Sequence, residues 1–317
     1  MLALVNRALA ALPFDRKPEG LYAPVKYELS LGGKRIRPVL MLMAYELYRD
    51  DVESILPTAL GLEMYHNYTL LHDDVMDRAE MRRGKPTVHK VWNENTAILS
   101  GDAMLVLAYQ LMGQAKTKYL KAVLDLFTET ALEIGEGQQY DMEFEQRMDV
   151  REEEYIEMIR LKTSVLLACA VKMGAMQAGA SETDLKNLYA FGENVGLAFQ
   201  LQDDLLDVYG DPKTFGKKIG GDILEGKKTY MLINAFRLAN TEQREVLGHW
   251  LSTASDDASK IAAVTELYNQ IGIRQLAEKK IKHYFDVAFA SLEAVQLPAQ
   301  RKEPLRTLAL SLFDRQS

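Results

Sequence analysis

Cysteine is nearly missing from this 317-residue chain: Cys169 stands alone. One thiol cannot close an internal disulfide, so stapled folds are excluded and a reducing compartment, the cytosol, is expected. No apolar run reaches the ~20 uninterrupted residues that a membrane helix needs. The most apolar window, Ser164–Ser181, contains Lys172 and many small residues and reads as a buried core helix. Arg7 interrupts the apolar start, which reads as a short amphipathic helix rather than a signal peptide. There is no GxxxxGK[ST], HExxH, CxxC or GxSxG, which leaves P-loop, zinc-hydrolase and serine-triad chemistry without support. Basic residues are outnumbered, 38 Lys and Arg against 45 Asp and Glu, and the net charge of −7 argues against nucleic acid as a partner.

What remains is a globular composition, 48% hydrophobic and 26% charged. The nine prolines are uneven: none falls between Pro86 and Pro212, or between Pro212 and Pro298. Proline breaks helix interiors, so long helices are expected in those two stretches. Leu, Ala, Met, Glu, Lys and Gln dominate them, and Leu120, Val123, Leu124, Phe127, Ala131 and Ile134 recur at helical spacing. Ser181-Glu-Thr-Asp184 reads as a helix start, a capping box with Asp in place of Glu. Breaks are expected at Gly32-Gly33, at Arg83-Gly84-Lys85-Pro86 and from Gly210 through Gly226. No linker or tandem repeat interrupts the chain, so residues 1–317 read as one all-α domain.

Two motifs carry the chemistry. Residues 73–77 read DDVMD and residues 203–207 read DDLLD. On a helix the first and third aspartates lie about 40° apart on one face, roughly 6 Å apart at Cβ. Like charges at that spacing repel unless a cation sits between them, and Mg²⁺ accepts carboxylates, keeps waters and bridges to phosphates. Two such faces could hold several ions around one diphosphate. His66, Thr69, Asp73 and Asp77 make a polar stripe among Leu70, Leu71, Val75 and Met76; Gln200, Asp203 and Asp207 make another among Leu197, Leu201, Leu205 and Val208. The alternative, a pair of solvated acidic turns, suits one isolated motif better than two set in apolar helices.

Basic clusters surround both motifs: Lys34-Arg35-Ile36-Arg37, Arg82-Arg83, Lys85, Lys162, Lys217-Lys218 and Lys227-Lys228. Arg grips phosphate as a fork and Lys as a point charge, so in an acidic chain such clusters suit small polyanions. Any one of them also reads as ordinary surface charge.

Taken in order, GGKRIRP (32–38), LLHDDVMD (70–77), RRGKPTVH (82–89), GDAML (101–105), GQQYD (137–141), KT (162–163), FQLQDDLLDVYGD (199–211) and GKKIGGDILEGKKT (216–229) resemble the trans-prenyl diphosphate synthases. The resemblance implies an all-α bundle around a deep central cavity, a homodimer, three Mg²⁺ ions per site and isoprenoid diphosphates as substrates. It implies Asp73, Asp77 and Asp203 as direct metal ligands, with Asp74, Asp204 and Asp207 acting through water or behind them. Lys34, Arg37, His66 and Arg83 correspond to the isopentenyl diphosphate pocket, and Arg82, Lys162, Lys217 and Lys227 to the allylic diphosphate site. Thr163 and Gln200 match positions near the reacting carbon, Gln138 and Asp141 another motif near the cavity. Arg315 is a candidate for closing the isopentenyl site. The doubled lysine leaves open whether Lys217 or Lys218 reaches the diphosphate.

The implied reaction joins isopentenyl diphosphate head-to-tail to dimethylallyl, geranyl or farnesyl diphosphate. Tyr68, Thr69 and Tyr65 lie five, four and eight residues before Asp73, where bulky groups in the family set a floor for the growing chain. An aromatic at the fifth position resembles farnesyl and geranylgeranyl synthases, so C15–C20 products are expected rather than longer polyprenyl chains. The other reading of Tyr68 is ordinary core packing. A terpene cyclase would replace the second motif, a head-to-head synthase would lack GGKRIRP, and a non-catalytic subunit would have lost carboxylates or arginines that are all present.

Overall fold

The computed structural model describes residues 1–211, 219–252 and 257–313. In chain order the helices are α1 (Leu2–Ala10), α2 (Glu19–Ser30), α3 (Ile36–Glu46), α4 (Leu56–Met76), α5 (Val88–Val91), α6 (Glu94–Met112), α7 (Thr117–Glu145), α8 (Glu152–Ile159), α9 (Val165–Ala178) and α10 (Glu182–Tyr209). There follow α11 (Gly221–Glu225), α12 (Tyr230–Leu238), α13 (Thr241–Ser252), α14 (Asp257–Ile271), α15 (Ile273–Glu293) and α16 (Ala299–Phe313). Among the described residues the only strands are the hairpin β1 (Met81–Arg82) and β2 (Lys85–Pro86), so the all-α class holds.

The long helices fall where proline is missing: α7 has 29 residues and α10 has 28. Pro57 sits at the start of α4, where its missing N–H costs nothing. Ser181 caps α10 by accepting the Asp184 N–H at 3.2 Å. The Asp184 carboxylate accepts from the Tyr48 hydroxyl, 3.0 Å away, so this acid ties α10 to the residues that follow α3.

Two compact units are formed. Residues 1–128 and 169–185 make the first, residues 129–168 and 186–317 the second. In the first unit α4 packs most extensively on α6, and α3 lies against α4. Its core includes Leu40, Met41, Tyr45, Leu62, Met64, Phe127, Cys169 and Val171, all essentially inaccessible. The apolar window read as a core helix is α9, and Cys169 is buried within it. In the second unit α8 and the apolar face of α10 pack with α12, α14 and α15 around Tyr155, Leu201, Tyr230, Leu247, Tyr268 and Phe285. No helix among the described residues is long and apolar enough to cross a membrane.

Candidate active site

The candidate residues fall into one set in each unit. In the first, α4 presents His66, Thr69 and Asp73 at partly exposed positions, and Asp77 caps its C-terminus in solvent. Asp74 faces the other way and is 2% exposed. Its carboxylate receives both arms of Arg82, Nε at 2.8 Å and Nη2 at 2.6 Å. The β1–β2 hairpin returns Arg82 to the helix it follows, turning through Arg83 and Gly84, both at positive φ. Burial opposes the Arg82 charge, but the fork to Asp74 outweighs it and holds the guanidinium above its ordinary range. Nη2 also lies 3.8 Å from Asp73. Adjacent aspartates therefore have different surroundings: Asp73 is accessible, and Asp74 anchors an arginine.

The GGKRIRP segment brings a second basic group to this unit. Gly33 has φ 126°, and a Cβ there would lie 2.9 Å from the Arg83 guanidinium carbon, so glycine is what lets Arg83 lie across the loop. Arg83 donates to the Gly32 carbonyl. Arg37 Nη1 donates to His66 Nε2 at 3.0 Å, which requires the neutral ring with its proton on Nδ1. Burial, then the charge of Arg37, holds His66 well below its ordinary pKa. Burial also lowers Arg37, to about 10, and leaves it cationic.

A buried ion pair outside the candidate residues holds this loop. Arg35 is buried in the left-handed region (φ 49°), donating to Glu63 Oε1 at 2.7 Å and the Leu29 carbonyl at 2.6 Å. Asn67 adds a bond to Glu63 at 3.0 Å. Arg35 lay inside a motif already singled out; Glu63 was visible as an acid in an apolar stretch. Nearby Glu28 is fully buried, and neither carboxyl oxygen has a hydrogen-bond partner. Burial, and next the charge of Asp74, pushes it up to about 7 against the pull of Arg82, Arg83 and Arg35.

The residues read as the chain-length floor form an aromatic cluster. Tyr65 is buried and Tyr68 half-buried, with ring centroids 5.4 Å apart. Phe127 of α7, one of the apolar residues at helical spacing in the sequence, packs edge-on to Tyr65 at 5.2 Å, and Tyr68 packs on His72 at 4.7 Å. The Thr69 hydroxyl is turned back to the His66 carbonyl at 2.8 Å.

In the second unit, a π-helical turn, Arg160–Ser164, joins α8 to α9 and carries Lys162 and Thr163. Such turns recur at functional sites because the extra residue redirects side chains. Gly137 of α7 makes room for it: a Cβ there would lie 2.4 Å from the Lys162 backbone nitrogen. One turn further along α7, Asp141 meets Lys162 Nζ at 2.6 Å and Lys227 Nζ at 3.9 Å. Burial works to raise Asp141, but the two lysines outweigh it and hold the carboxyl below its usual range. Gln138 is part-exposed on the same helix. On α10, Asp203 is partly exposed while Asp204 and Asp207 are 4% and 8% exposed. Asp204 accepts from Gln200 Nε2 at 3.2 Å and from the Tyr155 hydroxyl, and Gln200 Oε1 accepts from the Thr163 hydroxyl at 3.2 Å. Burial, then the charge of Asp222, pushes Asp204 up to about 7 against those two bonds. Asp207 accepts the Asp222 N–H at 3.1 Å at the start of α11. Lys217, Lys218 and Arg315 lie outside the described residues.

Among the described residues no three His, Cys, Asp or Glu side chains converge as a ready-made metal cage. A hard ion such as Mg²⁺ takes one or two carboxylates and completes its shell with water and substrate phosphates. Asp73, Asp77 and Asp203 are accessible carboxylates, whereas the second aspartate of each motif is bound to protein donors.

The profile of the family described as "Polyprenyl synthetase" matches residues 18–271. The geranylgeranyl diphosphate synthase of Methanosarcina mazei is 36% identical over 98% of this chain and 93% of its own. A crystal structure of a geranylgeranyl pyrophosphate synthase superposes with a TM-score of 0.93 at 41% identity, covering 100% of this chain and 97% of that one. Another, from Corynebacterium glutamicum and complexed with isoprenyl diphosphate and magnesium, superposes with a TM-score of 0.86 at 28% identity, over 99% and 96% of the two chains.

Proposed function

The chain belongs to the polyprenyl synthetase family, and from that premise we propose that it is a short-chain trans-prenyltransferase. It condenses isopentenyl diphosphate with dimethylallyl, geranyl or farnesyl diphosphate to give C15–C20 all-trans products. The observation that carries the reading is the same division of labour in both aspartate motifs: the first carboxylate is accessible, and the second is buried and held by protein donors.

Asp73, Asp77 and Asp203 would hold Mg²⁺, three ions per site, with Asp74, Asp204 and Asp207 behind them. Bound there, Mg²⁺ would supply positive charge to offset that developing on the departing diphosphate. Arg82, Lys162, Lys227 and one of Lys217 or Lys218 bind the same group. Asp141 holds Lys162 and Lys227 near each other until the diphosphate competes for them. Lys34, Arg37 and Arg83 bind isopentenyl diphosphate, and neutral His66 orients the Arg37 fork by accepting from it. Ionisation leaves an allylic cation, which the isopentenyl double bond attacks, and the released diphosphate takes the proton lost. The oxygens of Thr163 and Gln200 stabilise the cation by their dipoles.

Residues 1–317 act as one catalytic domain in the cytoplasm, in a homodimer. Leu99 and Val106, seven residues apart on α6 and 60% and 68% exposed, support a second copy on that face. The test is release of diphosphate from the allylic substrate with isopentenyl diphosphate and Mg²⁺ present. Asp73→Ala and Asp203→Ala should each lower it by roughly a hundredfold or more; near wild-type rates in either would overturn the assignment.

A further inference from the structure

We propose that Tyr155 is a positioning residue: acting through Asp204, it fixes the side-chain amide of Gln200 and with it the direction of the Thr163 hydroxyl. The proposal rests on the prenyltransferase reading, which places Thr163 and Gln200 beside the reacting carbon, and it adds a residue that belongs to none of the motifs.

The geometry is a chain of hydrogen bonds across three elements. Tyr155, on α8, is 3% exposed and donates its O–H to Asp204 Oδ2. Gln200, one turn before Asp204 on α10, reaches Oδ1 at 3.2 Å. Thr163, in the π turn, lies 3.2 Å from the other end of that amide. Each link dictates the next. Asp204 accepts at both oxygens, Oδ2 from the Tyr155 hydroxyl and Oδ1 from the NH₂ of Gln200, so the amide turns its NH₂ toward Asp204. Its oxygen then faces Thr163, and an oxygen facing a hydroxyl leaves that hydroxyl only the donor role. The Thr163 proton is thereby spent on Gln200, and the oxygen lone pairs are what Thr163 has left for other neighbours. A lone pair stabilises an electron-poor allylic carbon; an O–H pointed at it does the opposite.

Tyr155 enters because Asp204 is almost inaccessible to water, and a buried carboxylate oxygen without a donor is costly. The phenol supplies that donor to Oδ2 and leaves Oδ1 facing Gln200. Without the O–H, the carboxylate turns to share its remaining partner and the amide loses its fixed orientation.

The test is Tyr155→Phe, which keeps the ring and removes the hydroxyl. With folding verified by thermal melting, kcat should fall about tenfold with KM for isopentenyl diphosphate unchanged, and a larger share of allylic diphosphate should end as alcohol. The double variant Tyr155→Phe/Gln200→Ala should be no slower than Gln200→Ala alone, because the tyrosine acts through the amide. Independent losses that multiply would overturn the proposal. A second readout needs no turnover: the side-chain ¹⁵N–¹H resonances of Gln200, identified by their loss in Gln200→Ala, should move in Tyr155→Phe. Unmoved resonances would overturn the relay. An inactive wild-type chain in which those resonances do move would refute the prenyltransferase reading and leave the relay standing.

Discussion

Glu28 offers the sharpest thermodynamic test of the first unit. It is fully buried, neither oxygen is hydrogen-bonded, and its carboxyl is pushed from 4.5 up to about 7. Burial is the main cause, with Asp74 adding to it while Arg82, Arg83 and Arg35 pull the other way. Between those two values the folded chain holds a proton that the unfolded chain has released. Stability from this group is therefore complete below about pH 4.5 and is lost as pH rises through about 7. At about 1.4 kcal/mol per pKa unit the full loss is about 3 kcal/mol. Glu28→Gln keeps the shape and cannot ionise. Urea unfolding of both proteins at pH 5 and pH 8 should show the variant gaining roughly 2–3 kcal/mol on the wild type over that interval. An equal difference at both pH values, or a wild type that gains on the variant as pH rises, would refute the account of Glu28.

The buried Arg35–Glu63 pair leads to a second expectation: Glu63→Ala should destabilise by about 3–5 kcal/mol in chemical unfolding, since it strands a buried guanidinium. Asp141→Asn should raise KM for the allylic diphosphate more than for isopentenyl diphosphate in steady-state kinetics, because Lys162 and Lys227 lose the carboxylate that holds them together. Tyr68→Ala should shift products to longer chains on chromatography with little loss of stability, whereas Tyr65→Ala, which leaves a hole against Phe127, should cost about 3–5 kcal/mol.

Much of this architecture is legible in the residues alone. The proline gaps anticipated α7 and α10, and the apolar window at 164–181 anticipated α9, because both rest on local constraints: a missing N–H and an apolar face. The DDxxD spacing likewise places residues on faces of α4 and α10. Periodicity does not say what covers a face. Asp73 and Asp74 are neighbours in sequence, yet only the return of the β1–β2 hairpin decides that Asp74 receives Arg82. The meeting of Asp141 with Lys162 and Lys227 joins three distant segments across the close approach at Gly137. Tyr155 carries no local signal: its role exists only because α8 lies against α10. Glu28 and Glu63 are buried acids whose roles depend on groups brought in by other elements, so nothing local marks those roles.

The central claim is a trans-prenyltransferase that stops at C15–C20. Its most direct test is mass analysis of the products formed by the full chain with Mg²⁺, isopentenyl diphosphate and dimethylallyl, geranyl or farnesyl diphosphate. The account predicts all-trans prenyl diphosphates longer by multiples of five carbons, accumulating at C15 or C20. Recovery of unextended allylic diphosphate, or accumulation of chains of C30 and beyond, would contradict it.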